Sequence, residues 1–401
     1  MFLLAFYVPH QSETGAATAP PQPEPSTLPD TATTPIAFQA ALDSMRNRYG
    51  FPGATAAYVW IDGPSGTAAT GYADVETSTP MTPDSRMLAA SIGKTFVGAT
   101  TAALAEEGVL DFDTPIARWL ADHSWFERLP NGEQITLRQL LTHRSGLPDH
   151  VHLDAFADAV ARRSGTSGPP FTPDSLVQFV VDVPSLFTPG DGWAYSDTGF
   201  ILAGLIIEEA TGRDYYDIIQ ERFLSPLDLS QTSPSNRRDL QGLAAGYAAE
   251  NPLRFPGKTT TPDGTMAWHP GIEWTGGGLV STSGDLARWG AGLFGGNALP
   301  ESALDLMLTS SPIGPNTPDI HYGVGVAIYR GAPSGPVYGH RGWIPGYTSS
   351  LRYYENAGVA IAFQINTDIG LETDSTSVVR DMETRLMEVV MSAEKRAGKM
   401  P

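Results

Sequence analysis

The sequence predicts an α+β fold: an antiparallel sheet flanked by N- and C-terminal helices, plus a mostly helical subdomain set between its strands. Three observations predict it. Alternating apolar segments come as hairpins rather than as strand–helix–strand units, which favours antiparallel pairing. Helical periodicity opens and closes the ordered chain. Between them lies a stretch, 110–275, that reads as helices joined by long Pro- and Gly-containing loops. The 401 residues suffice for a large core, in one big domain or two packed ones.

Residues 1–35 begin with the apolar run Met1-Phe2-Leu3-Leu4-Ala5-Phe6-Tyr7-Val8, contain Ala17-Thr18-Ala19, and continue as a Pro/Thr/Ala-rich tract. They read as a remnant signal segment with a candidate cleavage site and a disordered linker. Ordered structure is expected from Ile36, where Phe38, Leu42, Met45 and Tyr49 follow helical spacing. Alternation over Ala54–Asp62 and Gly66–Ala73, around Gly63-Pro64-Ser65-Gly66, predicts a hairpin. Ser91 to Glu107 reads as a buried helix that Gly108 stops. In the helical stretch the clearest helices are Leu137–Thr142, Thr198–Thr211 and Asp214–Phe223. Past Thr275 a helix near Gly284–Phe294 precedes strands at Tyr322–Tyr329, Thr348–Tyr354 and Val359–Asn366, and a charged helix, about Ser375 to Arg396, closes the chain. The implied division is a sheet subdomain of 36–109 and 276–398, and a helical subdomain of 110–275 carrying the specificity loops.

A formal net charge of −19, from 25 Lys and Arg against 44 Asp and Glu, argues against nucleic acid as a partner. The absence of cysteine excludes disulfides, thiolate metal sites and a cysteine nucleophile. No segment is long and apolar enough to predict a transmembrane span. With the N-terminal segment, these features predict an exported bacterial protein, periplasmic or secreted.

The chemistry centres on Ala89-Ala90-Ser91-Ile92-Gly93-Lys94-Thr95-Phe96. The chain has four lysines, and Lys94 stands three residues after a serine in an otherwise apolar helix start. At this spacing both side chains share one helix face. Keeping a lysine neutral at pH 7 costs roughly 4–5 kcal/mol at ordinary proton affinity; burial and a helix N-terminus both lower that cost. The spacing alone is weak, because Ser392-Ala393-Glu394-Lys395 repeats it on what reads as a solvated helix face. Two further segments accompany the first copy: Tyr195-Ser196-Asp197, and His340-Arg341-Gly342-Trp343.

Together these three segments resemble the signature of the penicillin-recognising serine hydrolases, the β-lactamase/penicillin-binding-protein superfamily. The branch is that of class C β-lactamases, D-alanyl-D-alanine carboxypeptidases, D-aminopeptidases and family VIII esterases. Leu140-Leu141-Thr142-His143-Arg144-Ser145-Gly146-Leu147 and Gly277-Gly278-Leu279-Val280-Ser281-Thr282 are similar to two further segments of that branch, and all five occur in family order. The resemblance covers roughly 36 to 390. It implies a β-lactamase/transpeptidase-like fold and an acyl-enzyme formed on Ser91, with Lys94 and Tyr195 sharing the proton work and the base being either Lys94 or Tyr195, the latter then a phenolate beside the lysine ammonium. It implies an oxyanion hole from the backbone N–H groups of Ser91 and Trp343. It implies His340 in the place many β-lactamases give to lysine, and no metal or organic cofactor. His143 reads as a loop-ordering residue.

Two departures from the family pattern bear on specificity. Asp197 replaces the usual asparagine, and a carboxylate there favours a charged Lys94. Hydroxyl residues are missing around Gly342, leaving Arg341 to grip a substrate carboxylate or pair with an acid, and Trp343 to stack on an apolar acyl group. The implied substrates are small amides, short peptides or esters. A D-peptidase or D-Ala-D-Ala carboxypeptidase-like activity is favoured, with a promiscuous carboxylesterase as alternative and a non-catalytic peptide or β-lactam sensor as the rival of another class. Decoys fall away: His150-Val151-His152-Leu153-Asp154 lacks the later histidines of a metallo-hydrolase, Gly276–Gly278 lacks the Lys-Ser/Thr of a phosphate loop, and no Gly-x-Ser-x-Gly elbow exists.

Overall fold

The computed structural model describes residues 34–163, 170–250, 257–371 and 377–396. The expected signal segment and nearly all of the linker lie outside them. Helix α1 (Thr34–Tyr49) leads into strands β1 (Gly53–Trp60) and β2 (Ser65–Asp74), paired around the expected turn with Val59 opposite Ser65.

These strands join a nine-stranded antiparallel sheet. Its order is β3 (Thr79–Pro80), β2, β1, β12 (Val359–Ile365), β11 (Tyr347–Tyr354), β10 (Val337–Ile344), β9 (Ala327–Tyr329), β8 (Ile320–Tyr322) and β7 (Ser311–Pro312). A small sheet of β4 (Met87–Leu88), β6 (Leu279–Ser281) and β5 (Ser233–Pro234) ties the segment before Ser91 to the chain after the helical stretch.

Strand periodicity explains the layering. Ala54, Ala56, Tyr58 and Trp60 of β1 face one core with Phe38, Leu42 and Met45 of α1 and Val379, Met382, Leu386 and Val390 of the C-terminal helix Val378–Arg396. The N- and C-terminal helices thus cover one face, as expected. The other face packs on the helix Ser283–Phe294 and on α2 (Gly93–Glu106), which belong to the larger core. Helix α2 is buried almost all round, so its hydroxyls bond to its own backbone carbonyls: Thr95 to Ile92, Thr100 to Phe96 and Thr101 to Val97. Phe96 stacks on Trp289 at 3.9 Å, and the Trp289 indole donates to Thr95 at 2.8 Å.

Two expectations are revised. Tyr322–Tyr329 is a tight hairpin of β8 and β9, with Tyr322 opposite Ala327, because Gly323-Val324-Gly325 turns onto α2. Gly325 adopts φ +71°, and a side chain on Gly98 would meet the Val324 carbonyl at 2.2 Å. The helix at Tyr215–Ile219 passes into a π turn at Gln220–Leu224 instead of running on to Phe223.

Across the sheet from α2, Glu383 of the C-terminal helix receives Arg341 (3.0 and 2.7 Å), Arg352 (3.0 Å) and the Ser350 hydroxyl (2.6 Å). Burial pushes the Glu383 carboxyl up, but the two guanidinium groups prevail and hold it at about 2. Glu383→Gln leaves two cations without their anion in a mostly buried site, and is expected to cost about 3–5 kcal/mol in urea unfolding. The folded pKa lies below its ordinary 4.5, so the stabilisation is complete above about pH 4.5 and is lost as pH falls towards about 2. Wild type should therefore lose stability over that interval by a component absent from the variant.

Candidate active site

Ser91 lies in a 3-10 turn, Ala90–Ile92, that runs straight into α2. Ala90 holds φ +50°, a left-handed conformation uncommon for a residue with a Cβ. From Met87 to Leu104, only Ser91 and no other residue escapes full burial. Lys94, one turn on, is completely buried. Its Nζ donates to Ser91 Oγ at 3.1 Å, to the Asp197 carboxylate and to the Gly276 carbonyl. Three acceptors match the three N–H groups of an ammonium. The rings of Tyr195 and Phe200 lie 5.0 and 5.3 Å from the same nitrogen, a further setting for a cation.

Each acceptor arrives on its own element. Asp197 is the first residue of the helix Asp197–Thr211. Gly276 ends a short turn, Trp274–Gly276, beside the α2 start, where a side chain on Gly93 would meet Gly277 Cα at 2.9 Å. Tyr195 stands two residues before that helix, its loop fixed by His143, whose Nδ1 accepts from the Ser196 N–H at 3.1 Å. The two rings are 4.1 Å apart. His143 therefore takes the loop-ordering place expected of it. Tyr195 Oη is buried and makes no well-formed hydrogen bond among the described residues. Burial and the Asp197 charge push its phenol well above the ordinary value, against a lowering by the Ser91 hydroxyl. The free site therefore holds a neutral phenol and not the phenolate of one of the two expected alternatives.

Alternation along β10 separates its motif. Gly342 faces the Ser91 turn so closely that a Cβ would meet the Ala89 carbonyl and Ser349 Oγ, each at 2.3 Å. The backbone of 342–343 thus runs beside residues 89–91. Arg341, one residue away, faces the opposite side and binds Glu383. Of the two roles expected for Arg341, the structure shows the pairing with an acid and not the grip on a substrate carboxylate. The Trp343 indole, 36% exposed, donates to Asp368 at 3.1 Å. His340 is buried with both ring nitrogens engaged: Nδ1–H donates to the Arg341 carbonyl, and Nε2 accepts from the Tyr322 hydroxyl at 2.9 Å. Burial, then the charge of Lys94, hold it at about 3, so the imidazole is neutral. It buttresses β10 rather than offering a nitrogen for proton transfer.

Three residues come to this group unannounced by any motif. Tyr322 holds His340, and its ring lies 4.5 Å from that of His143. Asp149 is buried beside Asp197; burial, then the Asp197 charge, push its carboxyl well above the usual range. Glu273 is pushed up to about 8 by burial, against the pull of Lys94 and with the push of Asp197. The cue for Glu273 was an acid in the turn leading to Gly276; Asp149 was overshadowed by the neighbouring His150-Val151-His152. Those histidines form a 3-10 turn capped by Asp149, and His150 Nδ1 bonds to Thr198 at 3.0 Å. Among the described residues no group of three His, Asp or Glu is arranged to hold a metal, and no helix is long and apolar enough to cross a membrane.

Comparison with known proteins accords with this geometry. A D-amino acid amidase from Ochrobactrum anthropi SV3, solved with D-phenylalanine, superimposes with a TM-score of 0.75 at 29% identity, over 90% of this chain and 99% of that one. Penicillin-binding protein 4* of Bacillus subtilis is 28% identical over 298 residues, 71% of this chain, which spans 62% of that relative's length. Esterase EstB of Burkholderia gladioli is 30% identical over 191 residues, 47% of this chain and 45% of EstB. The beta-lactamase family model matches residues 38–381, taking in Ser91, Lys94, Tyr195 and His340. The chain belongs to the beta-lactamase family, within the superfamily of β-lactamases and penicillin-binding proteins, enzymes of serine-hydrolase type.

Proposed function

We propose that the chain is a serine hydrolase that cleaves amide bonds of D-amino acid amides or short D-peptides through an acyl-enzyme on Ser91. The observation that carries this reading is the 3.1 Å contact between Ser91 Oγ, at the surface, and the wholly buried Lys94 Nζ. Support for the D-amide class comes from the likeness to the Ochrobactrum amidase, and an extracytoplasmic setting accords with the likeness to penicillin-binding proteins.

In the proposed reaction Ser91 Oγ bonds to the substrate carbonyl carbon, and its proton passes to Lys94 once that amine has released one to Asp197. The carbonyl oxygen, now an anion, is held by the backbone N–H groups of Ser91 and Trp343. Tyr195, neutral and buried, gives its proton to the departing amine as the C–N bond breaks, and Lys94 restores it. Water then cleaves the ester by the same route in reverse. A carboxylesterase on the same scaffold is the second reading, favoured by the likeness to EstB; it needs the same Ser91 but less of Tyr195.

A fluorophosphonate probe followed by intact mass should label wild type and Ser392→Ala but not Ser91→Ala. An unlabelled wild type would sink the enzyme reading. D-phenylalanine amide should be turned over faster than its L-enantiomer and than nitrocefin; a preference for p-nitrophenyl esters alone would move the assignment to the esterase. Tyr195→Phe should slow acylation by amides by about 10²–10⁴, yet slow the pre-steady-state release of p-nitrophenolate from esters by no more than about tenfold, since p-nitrophenolate leaves without a proton. Equal losses on both substrates would remove Tyr195 as proton donor.

A further inference from the structure

The site holds more acid than its proton transfers use. Among the described residues, the buried Lys94 pairs with Asp197, and its charge also acts on Asp149 and Glu273. Asp197 binds the ammonium directly, and Asp149 takes the Val151 N–H at 3.3 Å as a turn cap. Glu273 has no such occupation. Its Oε2 is buried and without a hydrogen-bond partner among the described residues, and its Oε1 would lie 2.9 Å from a Cβ on Gly277. An orphaned carboxylate oxygen is costly in a native structure, and cheapest when the group is neutral. Glu273 also opens the turn whose Gly276 carbonyl accepts from Lys94, so it is built into the wall of the site.

We propose that Glu273 is a positioning residue that sets the charge balance at Lys94. Protonated, it leaves one cation facing one anion; ionised, it adds a second anion to the pocket and suppresses catalysis. The proposal rests on the serine-hydrolase reading above and adds to it a charge control located outside the family's motifs.

The groups whose charges act on Glu273, or that it acts on, make the sign definite. Lys94 of α2 favours its ionised form, and Asp197 of the following helix opposes it. The Glu273 carboxylate in turn raises the phenols of Tyr195 and Tyr216, which flank it from the loop before Asp197 and from the helix at Tyr215–Ile219. An ionised Glu273 thus makes Tyr195 a weaker proton donor and gives the Lys94 ammonium another anion to hold it. Both slow the reaction. With the carboxyl at about 8, the proton leaves to solvent across the mildly alkaline range.

The test is the rate of fluorophosphonate labelling, in which the serine oxygen bonds to phosphorus and fluoride leaves, and of D-phenylalanine amide turnover, from pH 6 to 10. Wild type should lose activity through about pH 8, and Glu273→Gln should lack that descending limb. With each enzyme's rate taken relative to its own value at pH 6.5, the variant should exceed wild type about three- to tenfold at pH 9. Glu273→Asp keeps an acid in the same wall and should displace the limb without abolishing it, which leaves the proposal testable if the glutamine variant folds poorly. A limb at the wild-type position in either variant overturns the proposal. A wild type that takes no label at any pH fails earlier, on the enzyme reading itself.

Discussion

A lysine ammonium with no access to water must find its hydrogen-bond acceptors in the protein, and that constraint organises the centre of this molecule. An unpaired charge at Lys94 would cost several kcal/mol, so three separate segments converge on one nitrogen. The Ser91 turn supplies a hydroxyl, the helix Asp197–Thr211 a carboxylate, and the turn Trp274–Gly276 a carbonyl. Each segment is then held by its own devices. Gly93 admits the backbone of Gly277, His143 fixes the loop before Asp197, and Gly342 brings β10 against Ala89. Sheet, helical segment and connecting turns meet where the ammonium is satisfied.

Much of this arrangement was legible in the residues. The β1–β2 hairpin, the buried helix α2 with its Gly108 stop, and the two terminal helices on one face follow from period-2 and period-3.6 patterns, which local burial enforces. The Tyr322–Tyr329 segment was misread because its apolar residues run continuously through a turn. Only the left-handed Gly325, resting on the Lys94 carbonyl, marks the reversal. Ser91 with Lys94, and Tyr195 with Asp197, were legible as short motifs, whereas the Lys94–Asp197 pair that joins them bridges 103 positions and was foreseen only through the family resemblance. Asp149, Glu273 and Tyr322 escaped notice because their importance is three-dimensional: each reaches the site from a loop or sheet edge with no spacing rule behind it.

The electrostatics divide the site into charged and neutral members by one criterion, whether a partner compensates for burial. Lys94 and Asp197 have each other. His143 is held well below its ordinary range, and His340 and His150 at about 3 and 4, so all three imidazoles are neutral hydrogen-bonding groups. Asp149 and Glu273 are pushed up for the same reason. The pocket these side chains form therefore behaves, near neutrality, as a single ion pair in a polar but uncharged wall. Tyr195 keeps its proton beside that pair, because burial and the Asp197 charge both favour the neutral phenol.

The division along β10 shows why a motif read as a string can mislead. His340, Arg341 and Gly342 are adjacent, yet a strand sends successive side chains to opposite faces. Gly342 serves the Ser91 turn by having no side chain at all. Arg341 serves the far layer, where Glu383 would otherwise be a buried carboxylate against a single arginine. His340 lies on the site face, but its hydrogen bonds to Tyr322 and to its neighbour's carbonyl occupy both nitrogens. Where a lysine at this place would extend a charge towards substrate, a neutral histidine bound to a tyrosine extends none. Among the described residues, the cation bonded to Ser91 is Lys94, and Asp197 already matches its charge. With His340 neutral, what β10 presents beside Ser91 is the backbone of 342–343 and not a side-chain charge.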